Sequence, residues 1–177
     1  LLAGGVLPVI KHIPGHGRAT ADSHLELPVV TTSAQDLRAS DFAPFRQLAA
    51  LPAAMTAHVV YAAFDAKEPA TTSLSVVQDV IRGEIGFHGF LMSDDLAMKA
   101  LAGTMAQRTE RALFAGCDVV LHCNGELGEM REVAAAAGRL EPSASLRLAG
   151  CLALLGADQP FVLAEAEAHL AEVFALA

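Results

Sequence analysis

Short runs of apolar residues punctuate the chain and predict four buried strands. The runs span residues 6–10, 53–61, 90–93 and 118–123, and polar or turn-forming residues close each of them. Short apolar runs of this kind are typical of strands that helices cover on both faces, as in parallel sheets. The segments between the runs carry the apolar spacing of helices, so the pattern predicts a parallel α/β protein.

Two helices are predicted after an extended segment at residues 28–32. Ser33 and Asp36 have the spacing of a helix-capping pair. Asp41 is placed to cap a second, longer helix with Pro44 in its first turn, where proline is tolerated. The predicted buried stripe of this second helix is Phe42, Phe45 and Leu48.

Five further helices are predicted downstream. The first follows Ser73 or Ser75 as its cap, and Gly86 ends it. A second helix, at residues 107–115, ends at Gly116. The last three, at 126–137, 144–155 and 161–175, carry no recognisable chemistry. The apolar face predicted for the first of the five consists of Val76, Val77, Val80, Ile81 and Ile85.

The strand, loop and helix unit recurs four times. An eight-stranded α/β barrel uses about 30 residues for each unit, so four units with C-terminal helices match half of a barrel. Parallel α/β folds carry their functional sites at the carboxyl ends of the strands. The chemically active side chains of this sequence lie at those ends: Lys11, His12, His58, Asp94, Asp95, His122 and Asn124.

Composition narrows the possible partners and the compartment. The formal charge of −8 argues against nucleic acid or an anionic membrane as a partner. No apolar run approaches the roughly 18 residues that span a bilayer. Cys117, Cys123 and Cys151 form no CxxC pair and lie in apolar segments, so we predict reduced, buried thiols in a cytoplasmic protein.

The loop at residues 11–28 concentrates more hydrogen-bonding and proton-transfer groups than a plain connection requires. Gly15 and Gly17 bracket His16 and permit backbone conformations closed to other residues. Asp22 lies two residues before His24, a spacing at which the carboxylate fixes the imidazole tautomer and makes it a general acid/base. The alternative is that Asp22 caps a turn and His24 is polar surface.

Asp94 and Asp95 follow the third apolar run and would open onto the same face as the Asp22–His24 pair. Either carboxylate is suited to be a nucleophile, a metal ligand or a helix cap. A nucleophilic carboxylate opposite a proton-transfer group is the arrangement of retaining glycoside hydrolysis. A competing interpretation is a metal site, although no HxH or HxxxH spacing supports it. Its ligands would be His12, His16, His24, His58 and Asp94.

Three motifs make the pattern specific. They are KHIPGHGRATADSH from Lys11, MTAH from Met55 and LMSDDLAMKAL from Leu91. Together and in this order they resemble the bacterial β-N-acetylglucosaminidases of the family-three glycoside hydrolases. The resemblance implies that Asp94 is the nucleophile and that His24, partnered by Asp22, is the acid/base. It also implies that Lys11 and His12 hold the sugar hydroxyls.

The same resemblance implies a substrate and an architecture. The expected reaction removes terminal β-linked N-acetylglucosamine from muropeptide fragments, notably the disaccharide with 1,6-anhydro-N-acetylmuramic acid, in the cytoplasm during cell-wall recycling. It proceeds through a glycosyl-aspartate with no metal or organic cofactor.

The expected fold is the C-terminal portion of a (β/α)8 TIM-type barrel. Residues 1–177 would be a single partial catalytic domain that lacks the N-terminal half and is a monomer when complete. His16 is assigned to loop structure, and His58 and Asn124 are candidate pocket-lining residues.

Two alternatives remain at this point. A family-three β-glucosidase is similar in its nucleophile but generally takes its acid/base from elsewhere, without the D-S-H loop. A noncatalytic sugar-binding or barrel-assembly module would keep the motifs and bind N-acetylglucosamine without turnover.

Overall fold

A computed structural model describes residues 1–156 and 162–175. Its strands, numbered in chain order, are β1 (Val9–Ile13), β2 (Val29–Val30), β3 (Ala53–Thr56), β4 (Val60–Tyr61), β5 (Phe90–Asp95) and β6 (Val119–Leu121). Four of them form a parallel sheet in the order β1-β3-β5-β6, and β2 and β4 form a separate parallel pair. The sequence-based prediction of a parallel α/β fold is confirmed.

Helices connect successive strands of the main sheet and follow its last strand. The α-helices are α1 (Ala34–Asp36), α2 (Ala43–Gln47), α3 (Met105–Ala115), α4 (Leu127–Ala137), α5 (Pro142–Leu152) and α6 (Leu163–Ala175). Two further segments, Leu37–Asp41 and Val76–Glu84, are wound as π-helix. All the predicted helices are present, and Phe161, the predicted start of the last one, lies outside the described residues. No helix within residues 1–156 or 162–175 is long and apolar enough to cross a membrane.

The main core lies between the sheet and the π-helix Val76–Glu84. The five apolar residues predicted for this helix are all buried, and they pack in one cluster with Ala54 of β3 and Leu91 of β5. Each such side chain contributes roughly 1.5–3 kcal/mol on burial. The helix ends as predicted at Gly86, whose φ of 77° suits glycine. Its wide winding shows in the hydrogen bond from Ile85 N to Val80 O, 2.8 Å long.

A buried carboxylate joins α5 to the sheet. Asp118, which precedes β6, accepts hydrogen bonds from Arg147 Nη2 of α5 at 2.6 Å and from the backbone N–H of Leu91 at 2.8 Å. Arg82 Nη2 lies 3.3 Å from the same carboxylate. Burial lowers the pKa of Arg82, and Asp118 opposes this effect. The network fixes α5 against the amino-terminal ends of the central strands.

The structure corrects two predicted strands. The first apolar run was expected to be a strand at residues 6–10, but β1 begins at Val9 and continues to Ile13 because its pairing with β3 starts at Val9 and Ala53. The second run is split, because Val60 and Ala62 donate to the carbonyls of Pro28 and Val30. Its second part therefore pairs with β2 instead of extending β3.

Three side-chain predictions are also wrong. Asp41 caps no helix, because its carboxylate accepts from Arg18 Nε at 2.7 Å. Leu48 is 42% exposed, because α2 ends at Gln47 and the predicted stripe ends with it. Cys123 is exposed, because it lies beyond the end of β6, whereas Cys117 and Cys151 are buried and all three thiols are free.

Candidate active site

The end of β1, the loop after it and the end of β5 line one open cavity of about 360 Å³. Both strands flank β3 in the same parallel direction, so their carboxyl ends open on the same side of the sheet. The cavity is lined by His12, His16, Gly17, Asp22, Ser23, His24 and Asp94. The fold thus brings together four of the five residues predicted for the site, and Lys11 is the one that does not line the cavity.

The predicted Asp22–His24 pair is formed. Asp22 Oδ1 accepts from the backbone N–H of His24 and from its ring Nδ1, both at 2.9 Å. These two N–H groups lower the pKa of Asp22. A carboxylate oxygen only accepts, so Nδ1 carries a proton and Nε2 is the atom free to exchange one. The side chains of His24 and Asp22 are 74% and 58% exposed, so this exchange takes place at the mouth of the cavity.

Contacts with His16 and with the segment after β5 hold the tip of the loop. Ser23 turns away from solvent, and its hydroxyl lies 3.3 Å from His16 Nε2. The backbone carbonyl of Ser23 accepts from the N–H of Ala100 at 3.3 Å, and that of His24 accepts from Lys99 at 3.4 Å. The segment after β5 thereby supports the Asp22–His24 pair, and the assignment of His16 to loop structure agrees with this contact.

The base of the loop is anchored separately. The hydroxyl of buried Tyr61 donates to the carbonyl of Gly15. Gly15 has a φ of 140°, and a Cβ there would lie 3.2 Å from Cβ of Asp41, so the position requires glycine. Arg18 completes the base through its 2.7 Å contact with Asp41. Ala19 packs against the main core, so Thr20, Ala21 and Asp22 form the part of the loop between the base and the tip.

Asp94 and Asp95 have different roles in the structure. Asp95 Oδ1 accepts from the backbone N–H groups of Ala97 at 3.0 Å and Cys123 at 3.1 Å, so it joins the ends of β5 and β6. Asp94 Oδ1 accepts only from the adjacent N–H of Asp95, at 2.9 Å. The other oxygen, Oδ2, lies 3.6 Å from Nε2 of His12, and both residues line the cavity. Asp94 is therefore the carboxylate available to a ligand.

His12 is half-buried beside Asp94. Burial lowers the pKa of His12, and the Asp94 carboxylate opposes this effect. Its ring meets that of His16 edge to face, with centroids 5.7 Å apart. A neutral imidazole in this position can donate to or accept from a hydroxyl of a bound molecule.

Lys11 departs from the sequence-based expectation. A buried end of β1 was predicted for it, but its side chain is exposed. The reason is that Val9 and Lys11 lie on the exposed face of β1, whereas Ile10 faces the core. Its predicted contact with sugar stays a prediction.

Neither residue proposed as a pocket lining lines the cavity. His58 is fully buried, with Nδ1 at 2.7 Å from Thr71 Oγ1 and Nε2 at 3.0 Å from the carbonyl of Asp95. Asn124 donates to Glu129 at 2.7 Å, and His122 contacts the same carboxylate at 2.9 Å. His58 has both nitrogens engaged, which removes it from the proposed metal site. Within the described ranges, no group of three His, Cys, Asp or Glu residues is arranged to hold a metal ion.

Sequence reasoning did not identify Ser23 or the hydroxyl partners of His58 as parts of this region. The signal for Ser23 was its position between Asp22 and His24, in a turn closed by hydrogen bonds from the N–H groups of Leu25 and Glu26 to the carbonyl of Asp22. No local signal indicated Thr71, which reaches His58 only through the fold.

Fold and site together define a parallel α/β protein with a carboxylate and a carboxylate–imidazole pair at the carboxyl ends of its strands. The chain matches the family described as the glycosyl hydrolase family 3 N terminal domain over residues 1–147. It therefore belongs to this family. The resemblance indicated by the three motifs and the assignment to a TIM-type barrel are confirmed.

Individual relatives show the same similarity to this family. The chain is 48% identical over 124 residues to a β-hexosaminidase of Alkalilimnicola ehrlichii, a match that covers 68% of this chain and 35% of that protein. NagZ from Neisseria gonorrhoeae, solved with N-trifluoroacetyl-D-glucosamine, superposes with a TM-score of 0.71 at 36% identity over 83% of this chain and 42% of its own. A family 3 β-N-acetylglucosaminidase from Paenibacillus sp. str. FPU-7 gives 0.73 at 32% identity over 90% of this chain and 34% of its own. The chain thus spans about a third of the length of the curated relatives it matches.

Proposed function

We propose that this chain is the C-terminal part of the catalytic barrel of a retaining exo-β-N-acetylglucosaminidase. The observation that carries the proposal is that Asp94 and the Asp22–His24 pair line the same cavity. A nucleophile and a proton-transfer group on one site are what retaining hydrolysis requires. The names of the relatives, β-hexosaminidase and β-N-acetylglucosaminidase, support the choice of sugar.

The first half of the reaction forms a glycosyl-aspartate. Asp94 Oδ2 attacks the anomeric carbon, the bond to the leaving oxygen breaks, and protonated His24 gives its Nε2 proton to that oxygen. Asp22 holds the Nδ1 proton of His24 and stabilises the imidazolium before transfer. A histidine acid avoids a second negative charge beside Asp94.

The second half returns the site to its starting state. Neutral His24 Nε2 takes a proton from water, the resulting hydroxide attacks the anomeric carbon, and the bond to Asp94 breaks. The two displacements retain the β configuration. His12, beside Asp94 Oδ2, binds a sugar hydroxyl in this scheme, and Lys11 reaches the sugar from the edge of β1.

The incomplete sheet supports the proposal that residues 1–177 form one partial domain. No strand within the described residues pairs with the outer edge of β1 or of β6, and Val9 on β1 is 39% exposed. A complete barrel of about 250 residues would supply partners for both edges and further groups for the pocket. The completed enzyme is proposed to be a monomer.

The proposed natural substrate is the muropeptide disaccharide of N-acetylglucosamine and 1,6-anhydro-N-acetylmuramic acid, cleaved in the cytoplasm during cell-wall recycling. The three motifs and the similarity to NagZ support this choice.

The test uses a completed barrel, in which the part of the Alkalilimnicola ehrlichii relative that precedes its matched segment is joined to residue 1. Cooperative unfolding is checked first. We expect hydrolysis of an aryl N-acetylglucosaminide and of the disaccharide at rates at least 100-fold above an aryl glucoside. Faster cleavage of the glucoside would favour a β-glucosidase. Binding of N-acetylglucosamine without turnover of any substrate would favour the noncatalytic module.

A further inference from the structure

A buried polar network lies beneath the candidate nucleophile. His58, directly after β3, connects Thr71 on one side to the backbone carbonyl of Asp95 at the end of β5 on the other. Thr71 Oγ1 lies 2.8 Å from Thr56 Oγ1 of β3. His58, Thr71 and Thr56 are fully buried. The network therefore links β3 and β5 at the end of β5 that reaches the cavity.

The partners assign the protons of this network. The Asp95 carbonyl can only accept, so His58 Nε2 carries a hydrogen. Burial lowers the pKa of His58, although the Asp95 carbonyl and the carboxylates of Asp94 and Asp95 oppose this effect, so the ring is neutral at pH 7. Its Nδ1 must then accept the Thr71 hydroxyl hydrogen over 2.7 Å, and the carbonyl of Ala57, 3.2 Å from the same hydroxyl, is the longer contact. Thr56 donates to Thr71 in turn.

The backbone of Asp95 connects this network to Asp94. Its N–H donates to Asp94 Oδ1 at 2.9 Å, and its carbonyl accepts from His58 at 3.0 Å. On the far side, the N–H of Leu96 donates to the carbonyl of Leu121 at 2.9 Å. The carbonyl belongs to the peptide unit 95–96 and the N–H to the unit 94–95, so the contact with His58 can act on the N–H that orients Asp94 only through the φ and ψ angles of Asp95.

We propose that His58 is a positioning residue that, through the Asp95 backbone, holds the Asp94 carboxylate with Oδ2 directed into the cavity. This inference rests on the proposed function. A buried polar network that is only partly satisfied destabilises a protein more than an apolar filling of the same shape. A fully satisfied imidazole beneath a reacting carboxylate instead gives the fixed geometry that catalysis requires.

Two amide variants isolate the contact with Asp95. The side-chain nitrogen of glutamine reaches the position of Nε2, whereas that of asparagine reaches only the position of Nδ1. In the completed barrel, with an aryl glycoside whose leaving group needs no acid, H58Q should retain kcat within about fivefold. H58N should lower kcat about 100-fold with KM little changed, because a displacement of about 1 Å costs that much in rate.

A second matched pair tests the hydroxyl. Thr71→Val removes the donor to Nδ1, and Thr109→Val removes an equally buried hydroxyl that donates to Met105 within α3. T71V also breaks the contact with Thr56, whereas T109V loses one hydrogen bond, so T71V should unfold at the lower urea concentration and kcat is compared where both variants are fully folded. We expect T71V to lower kcat about tenfold and T109V to leave it unchanged. Equal kcat values for H58Q and H58N, or for T71V and T109V, would overturn the proposal.

A spectroscopic signature separates this inference from the function on which it rests. Nitrogen-15 NMR of the completed barrel should show the His58 ring with its hydrogen on Nε2 at pH 7.5, and a hydrogen on Nδ1 would contradict the network. If the completed barrel cleaves no glycoside while the Nε2 hydrogen is present, the proposed function fails and the network does not. If the barrel is active and H58N matches the wild type, only the positioning role fails.

Discussion

Asp94 and Asp95 show how two adjacent carboxylates take different roles. Asp95 uses Oδ1 to accept two backbone N–H groups, whereas Asp94 lines the cavity with Oδ2 beside Nε2 of His12. Their partners account for the difference, because Asp95 is fixed to the ends of β5 and β6, whereas Asp94 Oδ1 accepts only from the adjacent N–H. The resemblance had already favoured Asp94, and the geometry supports that choice by a separate argument.

At the scale of single residues, we expect loss of Asp22 to slow hydrolysis most for substrates whose leaving group must be protonated. Asp22→Asn removes the charge that stabilises protonated His24. In the completed barrel we expect kcat for the disaccharide to fall about 10²- to 10³-fold, in the range of general acid catalysis. The kcat/KM for an aryl glycoside whose leaving group needs no proton should change less than tenfold, because this ratio reports only the first half of the reaction, before His24 acts as the base. Asp36→Asn, at an exposed position on α1, is the control, and equal losses on both substrates would contradict the role of the dyad.

Buried histidines predict the direction of the pH dependence of stability. The pKa values of His58 and His12 are lowered below the ordinary value of 6.5. As pH falls below about 6.5, the unfolded chain therefore takes up protons before the native one. The free energy of unfolding should fall with pH in that range, by at most about 1.4 kcal/mol per pH unit for each histidine. Urea unfolding at pH 7.5 and 5.5 measures the change.

The histidine origin of this dependence is testable with variants. His58→Gln should reduce the difference between the two pH values, whereas His88→Gln, at an exposed position, should leave it as in the wild type. Stability that rises on acidification would show that the buried rings are not neutral.

At the scale of elements, the attachment of α5 depends on one charge. Asp118→Ala leaves Arg82 and Arg147 without their buried partner and the N–H of Leu91 without an acceptor. Breaking a buried pair in this way costs about 3–5 kcal/mol of the free energy of unfolding.

The comparison is an exposed ion pair of similar geometry. Arg38 Nε contacts Glu84 at 2.6 Å on the surface, and Glu84→Gln should cost about 1 kcal/mol or less. Urea unfolding of both variants measures the difference. A D118A variant no less stable than E84Q would mean that α5 is held by apolar packing alone.

The local sequence pattern predicted which helices and strands exist better than it predicted their first and last residues. The apolar spacing of Val76 to Ile85 and the glycines at 86 and 116 placed two helices correctly, because those signals are contained in the segment itself. The split between β3 and β4 was not predictable, since it depends on which carbonyls of β2 are near. The same holds for Lys11, whose exposure depends on which face of β1 the rest of the fold covers.

The residues of the candidate site also divide into those that could be predicted from the sequence and those that could not. The Asp22–His24 pair was predictable because both groups lie on one short loop. His58 was expected to line the pocket, but burial and a backbone carbonyl from β5 make it part of the support. A residue's distance along the chain from its partner decides which of these outcomes can be predicted.

At the scale of the whole molecule, the two free edges of the sheet predict the behaviour of the isolated chain. The outer sides of β1 and β6 carry unpaired backbone groups in the described structure, and such edges pair with other chains. We expect the 177-residue chain to self-associate in size-exclusion chromatography and to show no glycosidase activity, whereas the completed barrel should elute as a monomer. Full activity of a monomeric 177-residue chain would contradict the partial-barrel proposal.

The most direct test of the central claim is to trap the intermediate. The completed barrel is treated with a fluorinated N-acetylglucosamine donor that slows deglycosylation, then digested and mapped by mass spectrometry. The account predicts sugar on the peptide that contains Ser93, Asp94 and Asp95, lost in Asp94→Ala and kept in Asp95→Ala. An enzyme that hydrolyses the ordinary substrate but forms no adduct on Asp94 would contradict the account.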